Sequence, residues 1–123
     1  MTGVAEFDWQ VGASEVSWKQ NGHVVHKLYR RPIVSAVVLR ESDGVAVVEP
    51  EDCEDGRNAV LFNADGSKRF RLERPCCAHE SCHFAQIYHV RSELTAFVVL
   101  RGTDFAYVVD PATGIYLRRY ETR

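Results

Sequence analysis

The chain is poor in lysine, nearly free of methionine, and has neither a long apolar run nor a segment with a helical period. Fifteen basic residues face seventeen acids among 123 residues, for a formal charge of −2. Without a basic excess there is no footprint for general nucleic-acid binding, which normally demands one to neutralise phosphates. Lys19, Lys27 and Lys68 are the only lysines, so twelve of the basic groups are arginine, the better donor for planar, bidentate contacts. No stretch approaches the roughly 18 apolar residues of a membrane-spanning helix. The start, Met-Thr-Gly-Val-Ala-Glu-Phe-Asp-Trp, has no basic residue and no apolar h-region, so it does not read as a secretory signal, and the expectation is a cytoplasmic chain. In that compartment Cys53, Cys76, Cys77 and Cys82 are expected to be thiols. None of the eight glycines forms Gly-x-Gly, no Gly-x-Ser-x-Gly elbow occurs, and His79-Glu80-Ser81-Cys82-His83, although it has the His-Glu-x-x-His spacing, lies in no segment with a helical period. No phosphate loop, hydrolase nucleophile or zinc-protease helix is therefore legible, and catalysis is not expected.

What is present is turn chemistry. Residues 59–72 read as two runs of β-formers around Asn63-Ala64-Asp65-Gly66, a type I turn in which Asn63 bonds its own backbone and Gly66 takes positive φ. Asn21-Gly22 joins the runs 15–19 and 23–29, and a type I′ turn needs positive φ at both of those positions. Residues 41–44 and 110–114 carry further turns of this kind. The runs 33–39 and 94–100 are apolar at nearly every position, which predicts strands covered on both faces. Residues 49–57 hold five acids with Pro50 and Gly56 and predict an exposed loop. Along 84–90, strict alternation places Phe84, Gln86 and Tyr88 on one face and Ala85, Ile87 and His89 on the other. Trp9 and Trp18 are expected to close one end of the core.

The predicted fold is all-β: an antiparallel meander of about ten short strands joined by tight hairpins, residues 1–123 forming a single domain. That many twisted strands should curl into a sandwich or partly open barrel, with propeller-like blades as the alternative. Residues 59–72 and 106–120 echo one another at an offset of roughly 47 residues, near the period of a propeller blade, but shared turn usage explains so short a match better than duplication does.

Two constellations bear on function. Cys76-Cys77-x-His79-x-x-Cys82-His83 packs five sulfur and imidazole groups into eight residues. Zinc takes such ligands in a tetrahedron, and the set Cys53, Cys77, His79 and Cys82, with His83 and Cys76 as substitutes, would supply four. The spacing lacks the paired halves of a zinc finger. Arg74, His79 and His83 are nearby sources of positive charge that would make Cys76 and Cys77 reactive. The second constellation is charged: Glu51, Asp52, Glu54 and Asp55 would steer a basic protein partner, and Arg69 and Arg71, opposite Phe70 and Leu72, would offer arginine to an interface. Arg118 and Tyr116 are expected to share a face of the last strand in the same way.

Two functions follow. One is a small, non-catalytic, intracellular binding protein, an inhibitor or antitoxin-like partner, with no cofactor. The alternative is a metal-stabilised or zinc-sensing domain built on residues 76–83. Both use one end of the molecule. Ala59 and Leu72 close a hairpin, so the acidic loop before it and the cysteine cluster after it should meet.

Overall fold

The computed structural model of the chain describes residues 3–51, 53–75, 82–100 and 102–122. Eleven strands form among them: β1 (Ala5–Asp8), β2 (Glu15–Gln20), β3 (His23–Leu28), β4 (Ser35–Val38), β5 (Gly44–Val48), β6 (Ala59–Asn63), β7 (Lys68–Arg71), β8 (Cys82–Val90), β9 (Glu93–Leu100), β10 (Thr103–Val109) and β11 (Tyr116–Glu121). A 3-10 turn at Cys53–Gly56 is the one helical element among the described residues. The strands make three antiparallel sheets, ordered β1-β2-β3, β4-β5-β6-β7 and β11-β10-β9-β8. None closes into a barrel. The architecture is the sandwich-like meander that the turns predict.

The middle sheet is covered on both faces, and its alternation shows how. Val45, Val47, Val60 and Phe62 pack with Val16 and Trp18 of the first sheet. Ala46, Val48, Ala59 and Leu61 pack with Phe84, Ile87, Leu94, Ala96 and Val98 of the third. Fully burying a Val, Leu or Phe side chain contributes roughly 1.5–3 kcal/mol, so these two interfaces hold the layers together. Trp18 is fully buried and its indole Nε1 donates to the Ala64 carbonyl at 2.7 Å, tying the first sheet to the β6–β7 turn.

The run 33–39, expected in a sheet interior, instead forms an edge strand, β4, with each of its residues half-buried. β5 is buried at every residue and β6 at all but Asn63. The run 94–100 does lie inside its sheet, as β9 between β10 and β8. At the turns, Asn21 and Gly22 have φ of 52° and 79°, as the hairpin requires, and Gly66 has φ of 91°. Asn63 bonds Ser67 Oγ and Arg69 Nε rather than its own backbone. Asp65 supplies the turn's side-chain acceptor, taking the Ser67 N–H at 2.9 Å, and the hydrogen bonds from Ser67 hold its carboxyl below the usual range. In the 41–44 turn the positive φ falls on Ser42, at 61°, while Gly44 already begins β5. A Cβ there would lie 2.3 Å from the Phe62 carbonyl oxygen, so glycine is required for close approach.

Two bulges overturn expected face assignments. The register shift between Phe84 and Gln86 lets Phe84 and Ile87 both enter the core, leaving Gln86 and Tyr88 outside. The shift between Val108 and Val109 sets Arg118 opposite Val108 and Tyr116 opposite Val109. Arg118 and Tyr116 therefore lie on opposite faces, with Tyr116 against the core. A bulge adds one residue to one strand and so inverts the alternation beyond it.

Candidate functional site

The site grows from the β6–β7 hairpin. Leu72 N donates to the Ala59 carbonyl at 2.9 Å, so the hairpin is closed at its open end and the chain on either side of it emerges together. Glu51 from the acidic loop pairs with His83 Nε2 at 3.2 Å. Arg57 pairs with Glu73 at 3.6 Å. Gly56 ends the 3-10 turn at φ 87°, and a Cβ on it would fall 2.6 Å from the Cys82 carbonyl oxygen. Both its conformation and the close approach of β8 demand glycine. The acidic loop and the start of β8 thus meet at one end of the sheets.

A cleft of about 330 Å³ opens there, lined by Arg31, Pro32, Val34, Pro50, Glu51, His83, Phe84 and Ala85. Behind it lies a buried polar network. Glu49, only 4% exposed, accepts from Arg71 Nη1 at 2.5 Å and from the Tyr29 hydroxyl at 2.7 Å. Arg71 also donates to the Arg57 carbonyl at 2.9 Å. Burial, followed by the hydrogen bond to Glu49, pushes the Tyr29 hydroxyl well above its ordinary pKa. The acidic run is therefore not an exposed loop throughout: its first carboxylate is inside, held by Arg71 and Tyr29.

β8 is joined to the middle sheet by side chains. Asn58, fully buried, donates from Nδ2 to the Glu49 and Phe84 carbonyls and accepts the Phe84 N–H, each at 2.9 Å. Ser35 Oγ donates to the Ile87 carbonyl at 3.1 Å. An edge strand has unpaired backbone groups to satisfy, and here an amide and a hydroxyl from the neighbouring layer satisfy them.

The residues expected to bind metal or partners distribute as follows. Cys53 stands in the 3-10 turn and is outside any disulfide. Cys82 is disulfide-bonded, which overturns the expectation of four thiols. That expectation rested on an inferred compartment, not on geometry. A disulfide sulfur is not the thiolate that zinc binds, so the expected zinc set loses one ligand in this state. Cys76, Cys77 and His79 lie outside the described residues, as does Asp52. Among the described residues no group of three or more His, Cys, Asp or Glu side chains gathers as a metal site would require. Glu51 is exposed at the cleft rim, and Glu54 and Asp55 form the 3-10 turn with Cys53. Arg69 and Arg71 do not present open guanidinium groups. Arg69 donates to Asn63 Oδ1 at 2.6 Å, the Asp43 carbonyl at 2.8 Å and the Pro111 carbonyl at 3.0 Å, stapling three turns. Asn58 and Glu49 were not legible as site-builders, because an asparagine and a glutamate flanking a polar loop carry no signal of burial.

A chain of the solved structure described as "Structure of Tne2 in complex with Tni2" superposes on this one with a TM-score of 0.75. The likeness covers 94% of this chain and 82% of that one, at 14% sequence identity. It establishes the fold. No protein-family model matches the sequence. No curated protein matches it either. No helix among the described residues is long and apolar enough to cross a membrane.

Proposed function

We propose that this chain is a non-catalytic protein-binding module, an inhibitor or antitoxin-like partner that acts by occupying a surface of another protein. The observation that carries the reading is the shared fold with a chain from a complex of two proteins, over nearly the whole length. The chemistry of the cleft supports it. Glu49, Arg71 and Tyr29 are spent on one another, and Glu51 faces His83, so these groups hold loops in place. The test is native capture from the source cells, followed by reconstitution with the purified partner and calorimetry. A stoichiometric complex is expected. Failure to recover any stoichiometric partner, under conditions where the captured chain remains folded, counts against the reading.

A further inference from the structure

Two sheet faces look outward, and they differ in what they present. On the first sheet Lys19 pairs with Glu6 at 3.3 Å and His26 with Glu15 at 3.2 Å, and these cross-strand polar pairs share their face with the exposed Val24 and Leu28. On the third sheet the register sets Tyr88, Thr95, Val108 and Arg118 in one row and Gln86, Phe97, Ala106 and Tyr120 in the next. Thr95 and Ala106 are 0% exposed and Val108 3%, although they lie on the face opposite the one that packs on the middle sheet. Larger neighbours wall them in. Tyr88 stacks on Phe97 with ring centroids 4.7 Å apart, and Tyr88 and Tyr120 remain 42% and 43% exposed. The result is a trough with a small-residue floor and aromatic walls, the composition of interface hot spots.

One end of the trough is a depression of about 420 Å³ lined by Val90, Arg91, Glu93, Thr95, Arg118 and Tyr120. Glu93 bonds Arg118 there, which leaves the Arg91 guanidinium with no ion pair among the described residues and the depression with a net positive charge. The backbone adds an independent mark. Arg91 and Ser92, the two-residue β8–β9 turn, have φ of 51° and 72°. The chain uses Asn-Gly for the same conformation at 21–22, the sequence that adopts it with least strain. At 91–92 a strained pair is kept instead, and strain of this kind collects where a side chain must be presented.

We propose that the trough binds an acidic, apolar segment of the protein partner, with a carboxylate seated on Arg91 and Arg118 and apolar side chains against the exposed rings of Tyr88 and Tyr120. This rests on the protein-binding reading and reverses the partner charge that the acidic run 49–55 suggests. The test is NMR titration of the ¹⁵N-labelled full chain with two blocked tetrapeptides, acetyl-Glu-Leu-Phe-Glu-amide and its counterpart with lysine in place of both glutamates. The glutamate peptide should shift the resonances of Arg91, Glu93, Thr95, Arg118 and Tyr120, and Arg91→Gln should weaken it by about tenfold. Equal shifts from the lysine peptide, or no shifts at these residues from either, overturn the proposal. Arg91→Gly separates presentation from structure: by relieving the positive φ it should raise Tm by about 4 °C while losing the peptide. Unchanged peptide affinity in that variant also overturns it. With a captured partner, binding that survives Arg91→Gln and footprints instead at Glu51 sinks the trough but leaves the protein-binding reading standing. Absence of any partner sinks that reading itself.

Discussion

Replacing Asn58 by alanine should be among the most damaging single changes in the chain, although the residue catalyses nothing and its own apolar contact is small. The side chain satisfies the Phe84 N–H and contributes a donor to both the Phe84 and Glu49 carbonyls, in a fully buried position. A buried backbone group that loses its partner costs about 1–3 kcal/mol, with carbonyls toward the low end because they have a second lone pair. Three such groups give a loss of about 4 kcal/mol, a large part of the 5–15 kcal/mol typical of a domain. With an unfolding entropy of about 2.1 cal/mol/K per residue, Tm should fall by about 15 °C. Urea unfolding followed by circular dichroism measures this directly, and the m-value should stay constant if the native state keeps its compactness. Asn58→Asp sharpens the test. It keeps an acceptor for Phe84 N–H but turns a carboxylate toward two carbonyls, so its defect should shrink as pH falls and the carboxyl protonates. A stability loss under about 1 kcal/mol for Asn58→Ala would refute the claim that side chains, not packing alone, join β8 to the middle sheet.

Arg71→Met should destabilise by about 3–5 kcal/mol, since it strands the Glu49 carboxylate in a buried site, and Glu49→Leu in the same chain should restore most of that loss; denaturant titration of the single and double variants decides it. Tyr29 and Tyr116 both have hydroxyl pKa values raised above the ordinary 10.0, chiefly by burial. Their contribution is therefore complete below pH 10 and is lost as pH rises above it, where the unfolded chain ionises first. Thermal melts from pH 8 to 11 should show this decline, and Tyr29→Phe should flatten it; an unaltered slope refutes the assignment. Reduction should lower Tm through loss of the Cys82 disulfide, at about 2 kcal/mol or more, whereas an identical Tm with and without dithiothreitol would show that the bond contributes nothing.

Local rules fixed the turns. Asn21-Gly22 and Gly66 take the backbone angles that their types allow, and the strands between turns follow from β-branched and aromatic residues at short spacing. The meeting of the acidic loop with the start of β8 was also legible, since a closed hairpin brings its two ends together. The echo at roughly 47 residues connects corresponding hairpins, β6–β7 and β10–β11, of the two four-stranded sheets.

What the residues could not specify alone was which strands would be doubly buried. Residues 33–39 and 45–48 are both apolar, and only the stacking of three layers puts β5 inside and β4 at an edge. The alternation along 84–90 and 116–120 is broken by bulges, which depend on the partner strand and so are invisible in one strand's sequence. Glu49, Asn58, Arg69 and Arg71 read as surface chemistry because polarity says nothing of where a partner waits; tertiary structure supplied the partners, burying Glu49 and Asn58 and half-burying the two arginines. For Arg91 the order is reversed: its charge is plain in the sequence, while the strained turn that presents it beside an apolar trough belongs to the fold alone.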